Sequence, residues 1–257
     1  MSLVRIWAIA SNGFREVIRD RILYLIGVFA VLLVFALRLL PEIAATTENK
    51  IFLDLGLAAI DVFSVIVAIF VGTGLINKEI EKRTVLVLIP KPVSRTEFII
   101  GKHLGLSGVL AVLVVAMTVI YLLLLSFSKI DYPLGTILVS IFFQFLTLCL
   151  MTAVALVFGV FTSSVLAALL TFGIYLMGNF SRDLVELGKL SKNPNIESLT
   201  QGLYLVLPDL SRLNLKNEAV YGILPSPQTL LTDGLYGLLY TTLLLTIAIL
   251  IFSQREF

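Results

Sequence analysis

Six mainly apolar runs divide the chain, at 22–40, 53–76, 104–127, 134–161, 165–180 and 230–252. A membrane-spanning helix needs about 20 such residues, because in hydrocarbon every backbone N–H and C=O must be satisfied inside its own segment. The runs predict an all-α integral membrane protein with six transmembrane helices. The fifth run is short, and SRDLVELGKL behind it can continue its helix beyond the hydrocarbon. Composition agrees: 58% of the 257 residues are hydrophobic and 14% are charged, against about 25% charged in a soluble domain.

Several function classes fall away at once. A net charge of +2, with no basic cluster on a soluble domain, gives no nucleic-acid signal. One cysteine, Cys149, allows neither a disulfide framework nor a zinc cluster, and reads as a small buried hydrophobe. The solitary His103 reads as a polar residue at the membrane boundary, and no metal site is expected. No paired acids, serine with a base, or histidine cluster recurs at helical spacing, so the chain is expected to carry no catalytic residue. An ion-coupled carrier fits poorly too: among deep span positions only Asp61 is ionisable, and the two halves show no repeat.

MSLVRIWAIASNGFREVIRD precedes the first run. At helical spacing Leu3, Trp7, Ala10, Phe14, Val17 and Ile18 share a face, opposite Arg5, Asn12, Glu16 and Arg19. That predicts an interfacial helix over 1–21, with Trp7 at headgroup level, and not a cleavable signal peptide. Six spans put 11 of the 19 Lys and Arg on the side of the termini. The bias is strongest near the span ends and predicts both termini in the cytoplasm. Segment 181–229 is then extracytoplasmic, and its five basic residues run against the rule.

NKEIEKRTVLVLIPKPVSRTEFIIGKHLG, from Asn77 to Gly105, places nine charged residues between two apolar runs. VSRTEF is a complete helix start: Ser94 as N-cap, Glu97 three positions on to close a capping box, and Val93 against Phe98 as a hydrophobic staple. A helix is expected from Arg95 into the third span, with Pro90 and Pro92 enforcing the break before it. Upstream, 78–89 can be helical. The expectation is a bent helix pair projecting into the cytoplasm over 77–103.

The pattern Glu79, Glu81, Thr84, then an apolar stretch, KPVSR and GK resembles the first cytoplasmic loop of ABC-transporter permeases of the type-2 exporter family. The whole layout is similar to that family: an interfacial N-terminal helix, six spans, a larger external loop containing YLVLPDL, and a short basic tail, FSQREF. One departure is Arg83, where the family often has glycine before the threonine. The resemblance implies a permease in a prokaryotic inner (plasma) membrane that dimerises with a second permease subunit, identical or different. A separate ABC ATP-binding subunit would hold ATP and Mg. The loop would be the coupling helix, with Glu79, Glu81, Arg83, Thr84 and Pro92 docking that subunit and Ser94, Arg95 and Glu97 holding the second helix. No phosphate-binding loop exists here: Gly101-Lys102 lacks a glycine five positions upstream and is followed by His103. The chain is expected to bind no cofactor itself.

Asp61 lies inside the second run, where an unpaired acid costs about 2.5–3.5 kcal/mol near the span centre. Two readings stand side by side. It lines a path or bonds a partner such as Arg38, or the span starts near Gly56 and Asp61 lies among headgroups. Asp54 and Asp233 are boundary residues. Gln144, Thr147, Thr152 and Asn179 can bond between helices, and Gly101 with Gly105 permits a close helix approach. Asp61, Phe63, Phe70, Phe172 and Tyr175, with Ile66, are candidates for a translocation path or dimer interface on spans two and five. Their apolar character favours a lipid-like, amphipathic or peptidic cargo. In the external loop, Ile196, Leu199, Leu203 and Leu207 form a stripe suited to the outer leaflet or to an accessory protein. The rival reading is an ATPase-tethered membrane scaffold or assembly factor that moves no cargo.

Overall fold

A computed structural model describes residues 2–19, 22–43, 47–81 and 94–254. The elements in chain order are α1 (Leu3–Arg19), α2 (Ile22–Ile43), α3 (Glu48–Glu81), α4 (Arg95–Phe127), α5 (Leu134–Phe161), α6 (Ser164–Asn179), α7 (Ser181–Leu190) and α8 (Pro194–Val206). A 3-10 turn at Leu210–Leu213, α9 (Lys216–Tyr221) and α10 (Pro227–Gln254) complete it, with no strand among the described residues. α2, α3, α4, α5 and α10 are each long and apolar enough to cross a membrane. α6 and α7 make a sixth only as a pair bent by 66°.

The bend corrects one expectation: SRDLVELGKL does not continue the fifth helix but turns aside as α7. α6 has 16 residues, or about 24 Å of helix, short of the roughly 30 Å hydrocarbon core. The break has a tertiary cause. Near the end of α6, a Cβ on Gly178 would stand 2.7 Å from the Pro208 carbonyl oxygen, so the chain around Pro208 presses directly on the helix. α3 runs 34 residues, about 51 Å, and α4 starts at Arg95, as the capping residues predict; both helices are longer than the roughly 30 Å hydrocarbon core.

α1 packs along α4 in a groove cut by glycines. A Cβ on Gly101 would lie 2.8 Å from the Ile9 side chain, and one on Gly105 would lie 2.7 Å from the Ala10 carbonyl oxygen. The close approach read from Gly101 and Gly105 is therefore an intrachain one. The buried side of α1 is Ile6, Ala10, Gly13 and Val17, while Leu3, Val4 and Trp7 are 82%, 77% and 75% exposed. On the apolar face Ala10 and Val17 are taken by the rest of the protein, while Leu3 and Trp7, at its flank, stay uncovered; sequence periodicity does not say which part of that face α4 takes.

The core lies among α2, α3, α4 and α5. Tyr121 of α4 is fully buried on α3. Its hydroxyl donates to the Leu53 carbonyl at 2.8 Å, and its ring lies so close to Gly56 that a Cβ there would be 2.1 Å away. Gly56 is thus a packing site within a continuous helix.

Candidate functional site

The start of α4 is built from local capping plus two long-range ties. Ser94 Oγ accepts the Glu97 N–H at 3.1 Å, and Glu97 Oε2 accepts the Ser94 N–H at 3.0 Å, so the expected capping box is present. Glu97 Oε1 also accepts the Ser2 N–H at 2.7 Å, with Arg5 Nη1 3.8 Å from Oε2. Arg95 Nη1 donates to the Phe252 carbonyl at 2.9 Å and to that of Ser253, covering carbonyls at the end of α10 that the helix itself leaves open. Phe98 stacks on Phe252 with ring centroids 5.5 Å apart. The start of α4 is therefore fastened to α1 on one side and α10 on the other.

α3 carries Lys78, Glu79 and Glu81 on its last helical turns. The side chains of Glu79 and Glu81, all of Arg83, Thr84 and Pro92, and the Val93 half of the staple lie outside the described residues. Ser94 and Glu97 act on the start of α4, as expected. Arg95 is directed at α10, a role with no local sequence signal because Phe252 lies 157 positions away.

α3 and α6 enclose an apolar groove of about 680 Å³, lined by Phe70, Phe172 and Tyr175 together with Val65, Ile66 and Ile69. Three of the aromatic candidates thus come together. Phe63 does not join them: it meets Phe29 of α2 edge-on, with centroids 6.2 Å apart. Helical spacing explains why Phe63 does not line the groove, since Val62, Ile66, Ile69 and Phe70 share one face of α3 and Phe63 points about 100° away from Val62.

Asp61 is 4% exposed. Its Oδ1 accepts from Gln144 Nε2 of α5 at 2.6 Å, and its Oδ2 accepts from the Tyr175 hydroxyl of α6 at 3.0 Å. Lys216 Nζ of α9 pairs with the same Oδ2. The carboxylate sits in a protein interior. The partner is Lys216 and not Arg38. Nothing local links residues 155 positions apart, although an acid inside an apolar run does announce that some partner must exist. Of the other polar candidates only Gln144 bonds across helices. Thr147, Thr152 and Asn179 donate to carbonyls of their own helices, of Phe143, Cys149 and Tyr175, which is the usual local competition of short polar side chains.

Between α8 and α10 Asp209 gathers the chain. Its Oδ1 accepts from Ser181 Oγ and Ser211 Oγ, its Oδ2 from Arg182 Nε at 3.1 Å and Arg212 Nε at 3.2 Å. Its backbone N–H donates to the Tyr236 hydroxyl at 2.7 Å. Burial pushes this carboxyl up, but the bonds from Ser211, Arg182 and Arg212 outweigh it and hold the group below its ordinary value. Asp233, expected as a boundary residue, is 4.0 Å from Arg212. α8 buries none of its residues, so the stripe at Ile196 and Leu199 is uncovered.

Among the described residues no group of three or more His, Cys, Asp or Glu is placed to hold a metal. His103 is buried, with Nε2 3.0 Å from the Cys149 carbonyl oxygen, so it lies between α4 and α5. No curated protein matches the chain. The family described as ABC-2 family transporter protein matches residues 7–257. With that match over nearly its whole length and an all-helical bundle of five to six candidate spans, the chain belongs to the ABC-2 transporter family, whose members are membrane components of ABC transporters.

Proposed function

We propose that this chain is the permease subunit of an ATP-driven exporter in a prokaryotic plasma membrane. It pairs with a second permease subunit and takes its energy from a separate ATP-binding subunit docked on loop 77–103. The observation that carries this reading is the fastening of the start of α4. A closure driven by ATP below the membrane does work above it only through a stiff element continuous with the spans. α4 begins with a capping box and is tied to α1 by Glu97 and to α10 by Arg95, so a push on the loop moves three helices together. The exposed Leu3, Val4 and Trp7 suit α1 to the cytoplasmic headgroup layer. The groove between α3 and α6 is the cargo path, completed by the second subunit, and its apolar walls favour a lipid-like or amphipathic cargo. The chain supplies no bond chemistry.

Reversing the charges of Glu81 and Arg83 tests the docking. Co-purification of the ATP-binding subunit is expected to be lost while membrane insertion is retained, and retained co-purification moves the docking site elsewhere. ATP-dependent flux in vesicles separates export from the scaffold reading, under which ATP hydrolysis is stimulated with no flux.

A further inference from the structure

We propose that the Asp61–Lys216 ion pair is a clasp that closes the extracytoplasmic end of the α3–α6 groove, with Lys216 as the positioning residue. The inference rests on reading that groove as the cargo path. Tyr175 belongs to both structures: it lines the groove and its hydroxyl donates to Asp61 Oδ2, the oxygen that Lys216 also engages. Asp61 directly precedes Val62, another lining residue. The opposite chain directions of α3 and α6 put Val62 and Tyr175 at one end of the groove and Phe70 and Ser164 at the other. The ion pair therefore stands at one mouth of an otherwise apolar channel.

Lys216 reaches that mouth from the 181–229 segment. α9 is held down by Thr136 Oγ1, which donates to the Ala219 carbonyl at 3.0 Å, and by Lys50, whose Nζ lies 5.0 Å from the centre of the Tyr221 ring. The two partners are unequal. Asp61 is buried and keeps Gln144 and Tyr175 as donors when the lysine departs. The Lys216 side chain is 22% exposed, so its ammonium can return to water by a small movement. An ion pair formed away from water is strong, and removing one member strands a charge. Here the stranded carboxylate retains two donors, which gives the arrangement two defined states, clasped and released.

The test uses thiol labelling. In a Cys149→Ala background, Val65→Cys places a thiol in the groove wall and Leu110→Cys places one in the core away from it; both residues are buried. A membrane-impermeant maleimide is added from the extracytoplasmic side. Lys216→Gln is expected to speed labelling at position 65 severalfold and leave position 110 unchanged, and Lys216→Arg is expected to restore slow labelling. Equal labelling at position 65 in Lys216→Gln and the parent overturns the clasp, as does a parallel rise at both positions, which would be general loosening. If Lys216→Gln does not accumulate, Asp61→Asn with Lys216→Met replaces it, because neither substituted residue is charged; the same outcomes decide. ATP-driven flux of a fluorescent phospholipid in reconstituted vesicles is measured in parallel. Faster labelling in Lys216→Gln than in the parent, with no flux by the parent, keeps the clasp and removes the exporter reading; flux by the parent with equal labelling in the two proteins does the reverse.

Discussion

The backbone N–H of Ser2 donates to Oε1 of Glu97 at 2.7 Å, joining the first turn of α1 to the first turn of α4 across 95 positions. The same carboxylate closes the capping box with Ser94. One side chain thus starts one helix and anchors another, and replacing it has two separable effects. Glu97→Gln is expected to loosen α1, seen as severalfold faster proteolysis of the N-terminal segment; an unchanged cleavage rate would show that α1 is held by the glycine groove alone. Ser94→Ala removes only the cap and is expected to cost about 1 kcal/mol, with Ser94→Asp close to the parent in thermal unfolding.

The glycine groove gives the second prediction. A Cβ on Gly105 meets main-chain oxygen of Ala10 at 2.7 Å, and backbone gives way less easily than the tip of a side chain. Gly105→Ala is expected to cost about 1–3 kcal/mol, as overpacking does. A neutral Gly105→Ala in a detergent melt would place α1 elsewhere.

Tyr121 and Gly56 allow two effects to be ranked. Tyr121→Phe removes one interhelical hydrogen bond to Leu53, worth about 0.6 kcal/mol on average within membranes and at most about 1.7. Gly56→Ala forces a methyl to within 2.1 Å of the Tyr121 ring and is expected to be the more damaging of the two. The reverse order in thermal unfolding would mean that the ring can move aside.

Arg95 covers carbonyls at the end of α10. Arg95→Met is expected to speed amide hydrogen exchange in the last turn of α10, and Arg95→Lys to recover part of the protection, since an ammonium lacks the fork of donors. Exchange that stays at the parent rate would assign the end of α10 to the Phe98–Phe252 stack.

Asp209 sets the acid sensitivity of segment 181–229. Its folded-state pKa lies below its ordinary value, so its contribution is fully present above that ordinary value and is lost as pH falls through the folded one. Unfolding of segment 181–229 is expected to be insensitive to pH near neutrality and to become easier only in acid. Asp209→Asn should be less stable at neutral pH and show a shallower acid decline. Parallel pH profiles for the two proteins would remove Asp209 from this role.

The sequence by itself determined the helical membrane class, the start of α4 and the presence of a burdened acid in α3, because each depends on near neighbours: run length, the Ser94-to-Glu97 spacing, and Asp61 among apolar residues. The tertiary structure alone decided that Phe63 turns to Phe29 while Phe70 lines the groove, that α6 stops where Pro208 meets Gly178, and that Asp61 finds Lys216. Capping and helical periodicity act over a few residues, whereas an ion pair or a close approach depends on which distant segments the folded chain brings together.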